Sequence, residues 1–170
     1  MGKQALFMVL PAMVYGVAVV DLLKIFRHKN NYWEMLGWGI MLMMYIVIIW
    51  LELWSKMEIV ATNKWFFMLL IGHAILLSQT SHVLTPEAED NDTEKYFYTN
   101  RKKFFVLTTL MVVLNMVIQE FFYDDQRPWF FRLSLVLVCI ICVVVNKVWV
   151  RTLSLAIVLS LLIGLIIKLP

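Results

Sequence analysis

Apolar runs about as long as a bilayer is thick recur along this chain, and they limit its fold more than any other feature. A transmembrane helix needs about 20 consecutive, mostly apolar residues. Hydrophobic residues make up 62% of the chain and charged residues 16%, whereas soluble domains are about 45–50% apolar and ~25% charged. The sequence therefore predicts a single all-α domain over residues 1–170, a polytopic integral membrane protein with a six-helix transmembrane bundle. The predicted helices are 5–26, 33–54, 63–84, 104–122, 129–146 and 148–168.

Six spanning helices leave little chain for anything else. At ~20 residues each they use about 120 positions, so no separate catalytic or nucleotide-binding domain fits in the remainder. The longest predicted loop is 85–103, in which segment 92–98 is typical of a short interfacial helix. The net charge is only +3 and no concentrated basic stripe is present, which argues against a nucleic-acid partner. The predicted partner is the lipid bilayer.

The distribution of basic residues predicts the orientation. An even number of helices places both termini on one side of the membrane. The first, third and fifth loops carry nine Lys and Arg residues, and the opposite side carries six. Because cytoplasmic loops are enriched in Lys and Arg, we expect loop 85–103 to be cytoplasmic and both termini to lie outside the cell membrane.

His73 is the most distinctive polar residue, since it lies near the middle of the third helix. Ionisable residues at that depth are costly and suggest a functional role. Thr80 follows seven residues later and shares the same helix face. A neutral histidine can relay protons or bind a metal, but it can equally form hydrogen bonds that only hold helices together. The sequence leaves both interpretations open.

The fourth helix carries the best partners for His73. Asn115 and Gln119 are four residues apart and therefore share a face. If the third and fourth helices form a hairpin, Asn115 reaches about the depth of His73. The candidate polar path through the membrane consists of His73, Thr80, Asn115 and Gln119. The alternative is that the two amides form interhelical hydrogen bonds with no transport role.

Charged residues near the helix ends are predicted to form pairs with others at the same depth in the membrane, at two levels. Such pairs reduce the cost of placing charge close to lipid. The residues at one level are Asp21, His82 and Arg151, and those at the other are Glu52, Glu120 and Arg132.

Small residues recur every four positions on the last helix, namely Thr152, Ala156, Ser160 and Gly164. Such spacing allows another helix to approach closely. The partner is either a helix of the same subunit or one of a neighbouring copy, so the pattern predicts helix packing and a homo-oligomer or a membrane partner protein.

No catalytic motif is visible. The sequence contains no phosphate-binding glycine loop and no H-E-x-x-H or G-x-S-x-G pattern. Cys139 and Cys142 have the C-x-x-C spacing, but they lie in an apolar run, where burial disfavours the thiolate. They are interpreted as small packing residues. No catalytic residue, metal site or cofactor is predicted.

One part of the chain resembles an uncharacterised family of small bacterial polytopic membrane proteins. The resemblance covers about the first two thirds of the chain and implies the same helical architecture without an activity. The residues that carry it are Tyr32, Trp33, Trp50, Trp54, Pro86 and the aromatic and basic stretch 96–105 with Asn100.

These observations favour a small multi-pass membrane protein that self-associates and conducts ions or small solutes past His73. The alternative is a non-conducting structural or assembly subunit that recruits a partner through loop 85–103. A third interpretation is a membrane enzyme acting on lipid through His73 or His82, although no active site is visible. A conducting protein requires polar side chains that converge on a cavity, and a scaffold does not.

Overall fold

The described residues of this all-α protein form six α-helices. The computed structural model describes residues 3–27, 31–56, 62–87, 92–122 and 129–168. Side chains are described from Val9 in the first helix and from Leu133 in the fifth. The helices are α1 (Lys3–Ile25), α2 (Trp33–Ser55), α3 (Lys64–Leu84), α4 (Thr93–Phe122), α5 (Trp129–Val144) and α6 (Val148–Lys168).

The main difference from the sequence prediction is the start of α4. This helix begins at Thr93, inside the segment predicted as loop 85–103. Asp92 accepts a hydrogen bond from the backbone N–H of Lys95 at 2.9 Å, and this contact satisfies one of the N–H groups that a helix start leaves unpaired. No Gly or Pro interrupts residues 93–122, so the predicted interfacial helix and the fourth spanning helix are continuous.

The helices form a bundle in which consecutive helices run in opposite directions. α3 packs on α1 and α4, α4 packs on α5, and α2 contacts α1, α3, α4 and α6. We call the end where α2 begins the Glu34 end and the end where it finishes the Glu52 end. The core is aromatic near the Glu34 end, where the buried Trp38 ring meets Phe105 edge-on at 4.9 Å.

The outer surface of the bundle is apolar. Exposed residues include Met13, Val17 and Val20 on successive turns of α1, which is the inverse of a soluble surface and suits contact with lipid chains. Within the described part of the chain, four helices could span a membrane by length and composition, over Trp33–Trp54, Lys64–Leu84, Thr93–Phe122 and Val148–Ile166.

Candidate functional site

His73 is held between tyrosines from two other helices. Its Nδ1 lies 3.1 Å from the hydroxyl of Tyr15 on α1, and its Nε2 lies 3.0 Å from the hydroxyl of Tyr45 on α2. The imidazole is only 1% exposed. The depth of His73 on α3 follows from a well-defined helix start, because the Asn63 side chain accepts from the N–H groups of Trp65 and Phe66. We call Tyr15, His73 and Tyr45 the His73 relay.

A neutral imidazole satisfies both contacts of the His73 relay. One ring nitrogen donates a hydrogen bond and the other accepts one, and a tyrosine hydroxyl can do either. Both tautomers of His73 therefore fit the same heavy-atom positions, provided that the two hydroxyl protons rotate to match. The arrangement can hold three helices together, and it can also pass a proton from one hydroxyl to the other through the ring.

A cavity lies beside the relay on the side of the Glu52 end. Tyr45 lines it from α2, and it is bordered by polar and apolar side chains of α2, α4, α5 and α6, with a volume of about 50 Å³. One water needs ~10–15 Å³ in this measure, so the cavity has room for about three. We call it the Glu52 cavity. Its polar lining residues are Tyr45, Glu52, Asn115 and Gln119.

The structure brings together some of the residues predicted to form a polar path. Asn115 and Gln119 face the same cavity, and Tyr45 connects that cavity to His73. Thr80 makes no described hydrogen bond to this arrangement. Its hydroxyl donates to the carbonyl of Leu76 on the same helix at 2.7 Å. Thr80 is nevertheless buried.

An apolar layer separates the His73 relay from the Glu34 end. Ala18 and Leu22 follow Tyr15 along α1, and Leu77 follows His73 along α3, each one fully buried. These side chains offer no hydrogen bond to the proton or to water. Ala18, Leu22 and Leu77 thus place apolar side chains between the His73 relay and the Glu34 end.

A second polar cluster lies at the Glu34 end. The Arg151 guanidinium donates from Nε to one Glu34 carboxylate oxygen at 2.8 Å and from Nη2 to the other at 3.1 Å. Arg151 is 0% exposed and Glu34 is likewise 0% exposed. Arg151 also donates to the Tyr98 hydroxyl at 3.2 Å and to Asn146 Oδ1 at 3.3 Å. We call these four residues the Glu34 cluster.

The cluster extends to the loop before α2. The hydroxyls of Tyr32 and Tyr98 lie 3.2 Å apart. Burial, the Tyr98 hydroxyl and the Glu34 charge raise the pKa of Tyr32 above its ordinary value of 10.0. Tyr32 is therefore a neutral hydroxyl at physiological pH. The cluster joins α2, α4 and α6 around one buried, charge-assisted pair.

Sequence reasoning missed the two tyrosines and Glu34. No role is predicted for these three residues from the sequence, although Tyr15 and Tyr45 lie well inside their helices, where a buried hydroxyl usually needs a partner. That position was an available signal. Arg151 was predicted to lie at one level with Asp21 and His82. The structure places His82 Nδ1 3.8 Å from Asp21, but the partner of Arg151 is Glu34.

Among the residues that the structure describes, none packs closely on the small-residue face of α6. The residues of α6 that are buried are Arg151, Ser154, Leu155, Val158 and Leu162, and they occupy a different face. A Cβ atom at Gly164 would meet nothing within 4 Å. Self-association through this face stays a prediction. The residues predicted to pack, Thr152, Ala156, Ser160 and Gly164, are all exposed.

Other candidate chemistry is limited. Cys139 and Cys142 are buried free thiols. Within the part of the chain that the structure describes, no three His, Cys, Asp or Glu side chains are grouped so that they could hold a metal ion.

Comparison with protein-family models, curated proteins and solved structures found no match to this chain. The predicted resemblance to a bacterial membrane family therefore stays a prediction. The class that the fold defines is an all-α protein of six helices, at least four of which have the length and composition of membrane spans.

Proposed function

We propose that this is a multi-pass membrane protein whose six helices all span the bilayer and that it conducts protons along the His73 relay. The apolar composition of the segments 5–26 and 129–146 supports the two further spans. The excess of basic residues on the first, third and fifth loops supports cytoplasmic placement of the Glu34 end. The Glu52 end and both termini then lie outside.

The observation that carries the proposal is the pair of hydrogen bonds on His73. The Tyr15 hydroxyl is hydrogen-bonded to Nδ1 and the Tyr45 hydroxyl to Nε2, so each ring nitrogen has its own tyrosine. A proton that enters from Tyr45 bonds to Nε2, and the proton on Nδ1 leaves to the Tyr15 oxygen as Tyr15 releases its own hydroxyl proton. One proton has then moved and the imidazole has changed tautomer. The ring and hydroxyls must return to their first arrangement before the next transfer.

The dimensions of the path favour the proton over larger solutes. The Glu52 cavity, at about 50 Å³, holds about three waters and ends at Tyr45. Beyond it the path consists of side-chain hydrogen bonds, which carry a proton and nothing larger. The broader expectation of ion or small-solute conduction is thereby narrowed to proton conduction.

The apolar layer sets the expected rate. A proton that leaves Tyr15 meets Ala18, Leu22 and Leu77 before it reaches the Glu34 end. It crosses only when water enters this layer, since apolar side chains cannot accept it. We therefore expect a low basal flux that rises when the layer is made polar.

The test is proton flux into liposomes that contain the purified protein, driven by a potassium diffusion potential and followed with a trapped pH-sensitive dye. His73→Phe keeps a ring but removes both nitrogens, so it should abolish the flux. It loses two interhelical hydrogen bonds worth ~0.6–1 kcal/mol each, which leaves the protein folded. Leu77→Ser should raise the flux several-fold, because it adds a hydroxyl to the apolar layer.

His82→Phe is the matched control, since it makes the same substitution on the same helix at a side chain that is 71% exposed. Its flux should equal that of the unmodified protein. Equal flux in His73→Phe and His82→Phe, or wild-type flux no greater than that of empty liposomes, would contradict proton conduction. The second result would favour the non-conducting membrane subunit.

A further inference from the structure

We infer that the Glu52 cavity is a hydrated proton-uptake site, in which the Glu52 carboxylate receives protons and hands them through cavity water to Tyr45. This inference rests on the proposed proton conduction and assigns its entry residue. The observation that supports this inference is that the Glu52 carboxylate and Tyr45, a member of the His73 relay, line the same cavity.

Glu52 and Tyr45 are placed together by the helical repeat of α2. They are seven residues apart, which is close to two full turns, so both project from the same helix face. Their Cα atoms are separated by about 10 Å along the axis. A short chain of water molecules can bridge such a separation. The cavity, at about 50 Å³, has room for the two or three waters that this chain needs.

The opposite wall of the cavity supplies fixed hydrogen-bonding groups. Gln119 is buried and Asn115 lies one turn before it on α4. A primary amide both donates and accepts, so these two side chains can hold water without taking its proton. Among the described residues that line the cavity, Glu52 is the charged one, and it is therefore the group able to bind an incoming proton.

The transfer conserves atoms and charge. A hydronium ion from the Glu52 end gives one proton to the Glu52 carboxylate and leaves as water. The resulting carboxylic acid gives its proton to the first cavity water as the last cavity water gives one to the Tyr45 oxygen. The original Tyr45 hydroxyl proton moves to His73 Nε2. Glu52 is again a carboxylate, and no oxidant, reductant or other reactant takes part.

A small metal cation is the competing occupant. Carboxylate, amide and hydroxyl oxygens also suit hard cations, and Na⁺ is the one to test. The uptake interpretation predicts that replacing NaCl by choline chloride on both sides leaves the proton flux unchanged. Inhibition by Na⁺ in the wild type that is lost in Glu52→Gln would assign the cavity to the metal ion and overturn the inference.

The main experiment compares two substitutions that remove one carboxylate charge at the same end of the bundle. Glu52→Gln should lose most of the proton flux, because an amide cannot take up and release the proton. Glu120→Gln is the matched control, since Glu120 is exposed on α4, and it should keep wild-type flux. Equal flux in the two variants would overturn the inference.

A second variant tests the water chain without touching Glu52. Val112 lines the cavity from α4, and Val112→Phe should fill space that the waters need. Reduced flux is expected, together with an unchanged sedimentation profile and helix content that establish a folded protein. Undiminished flux in folded Val112→Phe would show that protons do not pass through this cavity and would overturn the inference.

The two proposals fail in different ways. If His73→Phe abolishes flux while Glu52→Gln and Val112→Phe conduct normally, the relay stands and the uptake site is wrong. If His73→Phe conducts as the wild type does, proton conduction through the relay is wrong whatever the Glu52 variants do. Loss of flux in all three variants, with Glu120→Gln and His82→Phe unaffected, supports both proposals.

Discussion

Replacing Glu34 by glutamine tests the buried ion pair that links α2 to α6. The change removes one charge and leaves the Arg151 guanidinium in a site where it is 0% exposed. Breaking one side of a buried ion pair costs about 3–5 kcal/mol, because the remaining charge has neither water nor a counter-ion. The introduced amide would still accept one hydrogen bond from the guanidinium, so we expect the lower half of that range.

The expected loss of unfolding free energy is smaller when both charges are removed. In the double variant Glu34→Leu with Arg151→Met, no buried charge remains at this site. The main interactions lost are the hydrogen bonds from Arg151 to Tyr98 and Asn146. At ~0.6–1 kcal/mol for each polar contact, the double variant should cost about 1–2 kcal/mol. It should therefore be more stable than either Glu34→Gln or Arg151→Met alone.

The assay is the free energy of unfolding in mixed micelles, measured by denaturant titration and followed by helix content. Glu120→Gln is the control, because an exposed substitution usually changes stability by less than about 0.5 kcal/mol. Two results would refute the reasoning. One is a Glu34→Gln cost no larger than that of the control, and the other is a double variant whose cost equals the sum of the two single ones.

Two further predictions concern packing and orientation. Gly37→Leu should destabilise the contact of α2 with α6, since a Cβ at Gly37 would clash with a methyl carbon of Leu155. Gly164→Leu should leave the folded monomer unchanged, because a Cβ there meets nothing within 4 Å. Thermal unfolding of both variants checks this, and equal melting temperatures would contradict it. Glu89 and Asp125 lie outside the described residues, but the charge distribution predicts the side of the membrane on which each lies. A cysteine at position 89 should be labelled only after the membrane is permeabilised, whereas one at position 125 should be labelled in intact cells. The reverse pattern would refute the orientation.

Local sequence signals were enough for the helices and for some of the site. Apolar runs of membrane length predicted the all-α architecture because each helix satisfies its own backbone hydrogen bonds inside lipid. The four-residue spacing predicted that Asn115 and Gln119 share a face, and they do line one cavity. The prediction of a short interfacial helix over 92–98 agrees with the start of α4 at Thr93, whereas residues 99–103, which belong to the predicted loop, are helical in the structure.

The partners of these residues depend on tertiary structure. Glu34 and Arg151 are 117 positions apart in the chain, and no local pattern links them. Helical periodicity specifies which residues share a face, but the rotation of each helix about its axis is decided by packing against several neighbours at once. That rotation turns Tyr15 and Tyr45 onto His73 and turns the small residues of α6 outward. The sequence alone thus predicted apolar helices of membrane length with a polar residue near the middle of one of them, and only the assembled helices decided what that residue contacts.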